Sequence, residues 1–407
     1  MTGTPDRVGG DSAYLITTAV SVCGSAIGIL AATGATTAAG GTSSGAMYTG
    51  VYTAAVMLAS ALAVPYAPRL ANRMGTRRLF VLGKAAGAVA WVAAGVLLLL
   101  GAPAFPVLVI AAPFLGLPMG ATGVVTPLLT KAYLDTGNMS AAYARVSVYS
   151  GVAWGVGALG GGYLLGVVPL GWGLVLNGAL TVPLVWFTER HPPPAELAEP
   201  PRPGRPWRDI RTSLAESRTL RLVALLGCAV TVFVAPLSSL IVPITQDLRH
   251  QPLLVGAGLL LAAMAAGEFM SPRVVGVVVR GRSELTASAL AAVGAGLSLV
   301  VFSVTALLLT DRTELGTWAL IGIAFGALRY ASRALTVGAA SEARGPEHAT
   351  GSLAALTLTA GLAAPVGTLL WSALIGGLGA EAATLTGGVA GAATAGLVLL
   401  AARRPAG

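Results

Sequence analysis

The sequence predicts an all-α membrane protein with twelve transmembrane helices arranged as two pseudo-symmetric six-helix bundles. Three observations support this fold class: the composition, the lengths of the apolar stretches and the positions of the basic residues. Of the 407 residues, 55% are hydrophobic and only 10% are charged, whereas soluble domains carry roughly 25% charged residues. Such a chain has too little polar side chain to cover a surface in water, so we expect it to fold in lipid. The 54 glycines fit this environment, because small residues allow membrane helices to pack closely.

Apolar stretches long enough to cross a bilayer recur along the whole chain. A crossing helix needs about 20 mainly apolar residues, because the hydrocarbon core is roughly 30 Å thick. The first six predicted spans are 13–34, 46–67, 79–101, 105–130, 143–167 and 171–188. The last six are 220–244, 253–279, 285–309, 316–339, 350–376 and 380–402. We therefore predict an N-terminal bundle over 1–187, a cytoplasmic linker over 188–218 and a C-terminal bundle over 219–407.

Lysines and arginines concentrate on one side of this predicted topology. With the N-terminus inside, all 25 of them except Arg249 and Arg312 lie in cytoplasmic loops or toward the cytoplasmic ends of spans. Because basic loops remain in the cytoplasm, we predict a multi-pass protein of the plasma (inner) membrane with both termini cytoplasmic. The same placement argues against a nucleic-acid partner, although the formal net charge is +9.

The linker over 188–218 is the one long polar insertion. Prolines prevent helix formation in its first part, and the sequence WRDIRTSLAESR over 207–218 predicts a short amphipathic helix at the bilayer surface. Its arginines would stay near anionic lipid head groups. We interpret it as a connector between the two bundles, with a regulatory docking site as the alternative.

Patterns that could indicate other functions have simpler explanations. Cys23 and Cys228 both fall in apolar spans, so they form neither a disulfide framework nor a zinc site. The G-x-G-x-x-G pattern from Gly155 to Gly160 lies inside an apolar span and not after a strand, so helix packing explains it. No nucleophile with its base, P-loop or metal-ligand cluster is recognisable. We therefore expect no enzyme activity, no catalytic residue, no cofactor and no metal, and we expect a monomer.

The loop between the second and third spans carries a family motif. It reads PRLANRMGTRR from Pro68 to Arg78 and resembles the G-x-L-A-D-R-x-G-R-R signature of the major facilitator superfamily, which lies between the same two helices. The resemblance implies a gating loop formed by Asn72, Arg73, Gly75, Arg77 and Arg78. Asparagine replaces the usual acid at position 72, so the loop lacks that acid's interaction with a helix dipole.

The fifth span contains a second resemblance. The sequence GALGGG over 157–162 is similar to the G-P-x-x-G-G element of antiporters in this superfamily, with Gly157, Gly161 and Gly162 as the matching glycines. The resemblance implies a secondary active transporter of the export, drug-efflux-like branch. Such a protein works by alternating access and exports a small organic or amphipathic compound, such as a drug or natural product, with protons as a hypothesised coupling ion. Uptake of a polar solute by symport or facilitation is the alternative. A membrane enzyme or sensor is disfavoured because no soluble domain is present.

Ionisable residues in the middle of spans are the candidates for binding substrate and protons. Glu268 lies near the middle of the eighth span and Arg329 near the middle of the tenth, with Arg333 one turn further on the same face. Charges at this depth are costly and by default indicate function. We hypothesise that Glu268 and Arg329 pair, or bind proton and substrate in alternation. A permanent ion pair, or an Arg333 that extends to the head groups, is the structural alternative.

The first six spans offer mainly uncharged candidates. Ser21 in the first span and Met119 and Thr122 in the fourth could contact a largely apolar substrate. These side chains would serve equally well as contacts between helices.

Overall fold

The computed structural model describes residues 5–134, 139–193, 206–249, 254–308, 313–345 and 349–403. Within these residues, all regular secondary structure is helical. The membrane helices are α1 Asp11–Gly41, α2 Ser44–Met74, α3 Thr76–Leu99, α4 Ala104–Leu134, α5 Met139–Leu164, α6 Leu170–Arg190, α7 Arg218–Ser239, α8 Val255–Val278, α9 Glu284–Leu308, α10 Gly316–Glu342, α11 Gly351–Leu378 and α12 Ala380–Arg403. All except α5 meet criteria of length and apolarity for crossing a membrane, and α5 has 26 residues. The prediction of an all-helical membrane protein with about twelve spans is confirmed.

Glycines with positive φ mark several of the connections between helices. Gly41, with φ 62 and ψ −159, interrupts the helical backbone between α1 and α2. Gly75 has φ 86 between α2 and α3, and Gly281 has φ 68 between α8 and α9. Glycine adopts this region without the steric cost that a Cβ atom imposes. The last two turns hold equivalent places in the two halves, which fits the pseudo-symmetry expected from the sequence.

Prolines have opposite effects in α4 and α7. α4 contains Pro113, Pro118 and Pro127 and remains helical throughout, as membrane helices often do when neighbouring groups compensate for the lost hydrogen bonds. In α7 the regular helix ends at Phe233 and a short turn covers Pro236–Ser239. A further helix, Ile241–Arg249, follows α7. Pro236 has no N–H to donate to the preceding turn. The helical backbone is therefore interrupted close to Ser238.

The two ends of the molecule differ in how the halves pack. We call the end that holds the start of α1, the linker and the end of α12 the terminal end, and the opposite end the far end. At the far end, one core contains buried residues of both halves, including Leu30, Leu108, Leu174, Leu240, Phe302 and Trp371. At the terminal end, one core belongs to the first half, with Tyr14, Phe80, Leu129 and Phe187. A separate core there belongs mainly to the second half, with Leu220, Leu285, Ala340 and Val398. The halves are thus joined at the far end, while each packs mostly on itself at the terminal end.

The linker ends in a helix that contacts the second half. This linker helix covers Pro206–Glu216, as the sequence pattern predicts, and it buries Ile210 and Ser213. Arg344, just beyond α10, donates a hydrogen bond of 2.7 Å to the Ser213 hydroxyl and forms a salt bridge with Glu216. These contacts attach the linker helix to the C-terminal half.

The loop between α2 and α3 contacts the end of α6. Arg77 donates hydrogen bonds to the carbonyl oxygens of Thr188, at 2.7 Å, and of Glu189. Unpaired carbonyls at a helix C-terminus attract cations, so Arg77 stabilises the last turn of α6. Arg78 is exposed. The motif therefore connects two helices of the first half at the terminal end.

Glycines bring α8 and α10 into close backbone contact. A Cβ atom on Gly267 would overlap the backbone of Ile323 and Ala327, and one on Gly326 would overlap the carbonyl group of Met264. Small residues allow this approach in membranes, where packing contributes strongly to helix association. Glu268 directly follows one of these glycines, and Tyr330 lies one turn after the other. The crossing therefore brings these two polar side chains together.

We expect Gly326→Ala to destabilise the protein, because the added methyl group forces α8 and α10 apart. Overpacking of this kind costs about 1–3 kcal/mol, which will lower the apparent Tm of the protein purified in detergent. The control is Gly276→Ala on α8, where a Cβ atom meets no atom within 4 Å. Equal melting temperatures for the two variants would contradict the close packing.

We also expect Arg77→Gln to lower the apparent Tm, because the cationic cap on α6 is lost. Hydrogen bonds from charged groups contribute about 1.5–3 kcal/mol, and partial exposure reduces this contribution. Arg78→Gln is the matched control, since it removes the same charge from an exposed neighbour. A larger effect of the control would assign the stabilisation to the net charge of the loop.

Candidate substrate and proton site

A carboxylate and a phenol meet in the interior of the second half. Glu268 is only 8% exposed and lies near the middle of α8. Its carboxyl group lies close to the Tyr330 hydroxyl of α10. The positive charges of Arg333 and Arg329 also act on this carboxyl group. We call these four residues the α8–α10 cluster.

The direct ion pair considered from the sequence does not form in this conformation. Among the described residues, neither Arg329 nor Arg333 makes a salt bridge with Glu268. Tyr330 takes the place beside the carboxylate instead. Glu268 and Arg329 lie near each other without a hydrogen bond between them, and their role in binding proton and substrate stays a prediction.

Arg329 points to the interior and reaches α7. Its Nη1 donates a hydrogen bond of 3.1 Å to the Ser238 hydroxyl, at the break in α7. Its guanidinium carbon lies 6.0 Å from the ring centre of Phe325 and 5.6 Å from that of Tyr330, within range of cation–π attraction. Phe325 is buried, whereas Leu320, on another face of α10, is 70% exposed. Arg329 therefore shares the helix face that is directed away from lipid.

Arg333 lies one turn closer to the terminal end. It is exposed, and it forms no hydrogen bond or salt bridge with another residue that the structure describes. Residues four apart on a helix are neighbours on its surface, so Arg333 continues the face that Arg329 begins. The second guanidinium group is thus exposed on the face of α10 that also carries Arg329.

The candidates from the first half lie mostly in helix contacts. Ser21 is buried, and its hydroxyl is 3.4 Å from that of Thr181 on α6. Thr122 is buried as well; it donates to the carbonyl of Pro118 at 2.8 Å, and its methyl group fills the space above Gly83 on α3. Met119 is 50% exposed. For Ser21 and Thr122, this geometry favours the alternative that they hold helices together.

The fifth-helix glycines also lie in helix contacts. A Cβ atom on Gly157 would meet the carbonyl oxygen of Cys23 on α1 at 2.5 Å, and one on Gly161 would meet Ile27 at 3.0 Å. Gly162 borders Gly258 of α8. These glycines therefore place α5 between α1 of its own half and α8 of the other half.

Sequence reasoning missed two residues of the candidate site, Tyr330 and Ser238. Tyr330 follows Arg329 directly, and its position one turn after Gly326 could have indicated a partner for Glu268. Ser238 follows Pro236 closely, so the break in α7 was the available signal. Neither residue carries a charge, so charges in the middle of apolar spans do not indicate them.

Comparison with known proteins supports the fold and the family. The family model "Major Facilitator Superfamily" matches residues 12–359. Among solved structures, the chain is similar to the human organic anion transporter MFSD10 (TETRAN), with 15% identity and a TM-score of 0.64, covering 97% of this chain and 100% of that one. It is also similar to the nucleoside transporter NupG, with 11% identity and a TM-score of 0.66, covering 97% of this chain and 99% of that one. A structure of a NupG mutant gives 10% identity and a TM-score of 0.69, with 95% and 100% covered.

No curated protein sequence matches the chain significantly. The two solved transporters share its fold at low sequence identity, and the family model covers most of its length. A multi-pass helical chain of this kind uses the lipid bilayer as its solvent and moves a small molecule across it. The chain therefore belongs to the major facilitator superfamily and is a membrane transporter, not an enzyme.

Proposed function

We propose that this transporter exports small organic or amphipathic compounds across the plasma membrane, drawing on the proton-motive force, with Glu268 as the proton-coupling residue. The observation that carries the proposal is the α8–α10 cluster, which has one carboxylate and one guanidinium group near the middle of their helices and a second guanidinium group one turn closer to the terminal end. Ionisable groups at this depth are characteristic of substrate and proton pathways. A carboxylate held beside a hydroxyl and two cations can exchange its proton when a ligand changes the charge around it.

The packing of the two halves supports alternating access. They share a core at the far end and have separate cores at the terminal end, so this conformation favours entry from the terminal end. Contacts between the halves rely on small residues, with Gly50 of α2 against Ser372 of α11 and Gly258 of α8 against Ala158 of α5. Such contacts allow the two bundles to rotate relative to each other about a site near the midplane.

The orientation follows from the basic residues. The terminal end carries the arginines of the loop between α2 and α3, and those of the linker helix and the end of α12. Because basic loops remain in the cytoplasm, we place the terminal end inside the cell. The observed conformation then faces the cytoplasm, where an exporter collects its substrate.

Uptake by symport is the second candidate, and one observation favours it. Glu268 shares its surroundings with two arginines. Protonation of Glu268 therefore leaves more positive charge for an acidic solute, so that a proton and such a solute would bind together and cross in the same direction. The direction of flux under an imposed pH gradient distinguishes the two candidates.

We expect cells that produce the protein to accumulate less of an amphipathic dye than cells with an empty vector, and an uncoupler should remove the difference. Glu268→Gln should abolish this gradient-dependent efflux at equal protein level in the membrane. Glu189→Gln, at the exposed end of α6, changes the same chemical group outside the cluster and should retain efflux. Full proton-linked transport by Glu268→Gln would remove Glu268 from the coupling role. Greater accumulation of the dye in cells that produce the unchanged protein than in empty-vector cells would favour uptake.

We also expect a C-terminal reporter to lie in the cytoplasm. Green fluorescent protein fused after α12 should fluoresce, and alkaline phosphatase at the same place should be inactive, because it folds only in the oxidising periplasm. Phosphatase fused in the connection between α3 and α4, at the far end, should be active. The reverse pattern would place the terminal end outside and overturn the orientation.

A further inference from the structure

We propose that the α8–α10 cluster binds the anionic group of an organic acid, with Arg333 and Arg329 as the two guanidinium ligands. The proposal rests on the proposed transport function and names the chemical class of its substrate. It depends on the charges, hydrogen bonds and burial of four residues in the second half.

The balance of charge within the cluster favours an anion. Two arginines face one glutamate, so one positive charge remains uncompensated when Glu268 is ionised, and two remain when it is protonated. Charges inside a membrane protein are usually paired, and two like charges four residues apart on a helix repel each other. A negatively charged ligand supplies the compensation that the described residues do not provide.

The unused hydrogen-bond donors of the two arginines also favour an anionic ligand. Each guanidinium group carries five N–H donors, yet Arg329 uses one on Ser238 and Arg333 forms none with another described residue. Planar guanidinium groups bind carboxylate and phosphate groups through paired hydrogen bonds. Because Arg333 is the exposed member, an anion entering from the terminal end meets it before Arg329.

The side chains around Arg329 indicate which kind of organic group would accompany the anionic group of the ligand. The rings of Phe325 and Tyr330 lie beside Arg329, and the core that includes Phe325 and Leu237 is apolar. Phe325 is buried, so the ring of Tyr330, which is only partly buried, is the surface on which an aromatic or aliphatic body attached to the anionic group would pack. The geometry therefore fits an acid with a hydrophobic body better than a small inorganic anion.

Anion binding has a consequence for the driving force. An anion that occupies the two guanidinium groups cancels positive charge, so the loaded site crosses the membrane with less charge than the empty site. A membrane potential that is negative inside then favours the return of the empty site to the cytoplasmic face. This charge balance suits export of an organic anion driven by the membrane potential, whereas a proton carried on Glu268 together with the anion would favour the uptake candidate.

The test measures binding of four matched probes to the full-length protein in maltoside detergent by isothermal titration calorimetry. The probes are 2-naphthoate and 2-naphthyl phosphate as anions, 2-naphthamide as the neutral analogue and 2-naphthylmethylammonium as the cation. We expect the anions to bind and the amide and the ammonium to bind at least about tenfold more weakly, since a charge-assisted hydrogen bond is absent. Equal or tighter binding of the amide or the ammonium, or no binding of either anion, would overturn the proposal.

Variants then locate the site. Arg333→Gln and Arg329→Gln should each raise the Kd for naphthoate about 10- to 100-fold, with a smaller change for the amide. Arg333→Lys should recover part of the affinity, because it keeps the charge and loses the paired geometry. Arg403→Gln, at the exposed end of α12, is the control for net charge and should bind naphthoate as the unchanged protein does. Unaltered naphthoate affinity in the double variant Arg329→Gln/Arg333→Gln, at an unchanged Tm, would exclude the cluster as the anion site.

Two further measurements distinguish a transported organic anion from a bound lipid and from a substrate without negative charge. A phospholipid head group carries the same kind of charge, so the titration is repeated with phosphatidylglycerol and with phosphatidylcholine. Competition by phosphatidylglycerol alone, without flux of naphthoate in proteoliposomes, would assign the site to a lipid and overturn the substrate assignment. Gradient-driven flux of a neutral or cationic compound that is not inhibited by naphthoate would uphold the transport function and refute the assignment of an anionic substrate. Specific anion binding without flux would uphold the anion site and refute the proposed transport function.

Discussion

A hydrocarbon solvent provides no partner for a peptide N–H or C=O group, and this constraint underlies the whole structure. Every crossing segment must satisfy its backbone internally, so the chain folds into long helices. The helices cannot then rely on exclusion of water to associate, and their contacts depend on how closely backbones approach. Glycines serve this purpose where α8 crosses α10 and where α5 meets α1 and α8. The same solvent makes each charge at mid-depth costly, so the α8–α10 cluster needs either its own partners or a ligand.

Much of the architecture can be predicted from the sequence because it depends on the local composition and residue pattern of each segment. Apolar length places the helices, Gly75 places a turn, and the amphipathic pattern over 207–218 predicts the linker helix. The charged members of the site were also visible, because Glu268, Arg329 and Arg333 interrupt otherwise apolar spans. These features require no knowledge of which helix is adjacent to which.

The remaining features depend on neighbours and could not be read in this way. Ser21 and Thr122 have the composition of substrate ligands, yet the faces that carry them contact α6 and α3. Tyr330 gains its place beside Glu268 only because two glycines bring α8 and α10 together. The direct pairing of Glu268 with Arg329 was one reasonable hypothesis from charge alone, but a phenol hydroxyl can approach a carboxylate without the bulk of a guanidinium group.

The hydrogen bond from Arg329 to Ser238 has a mechanical consequence. Ser238 lies in the short turn at the end of α7. In the helix that follows, Ile241–Arg249, Asp247 accepts a hydrogen bond of 2.7 Å from the first backbone N–H of α12. The helix Ile241–Arg249 is therefore attached to α12 at one end, and Arg329 holds the turn at its other end. A ligand that took the place of Ser238 on this guanidinium group would therefore also remove a contact between α10 and α7.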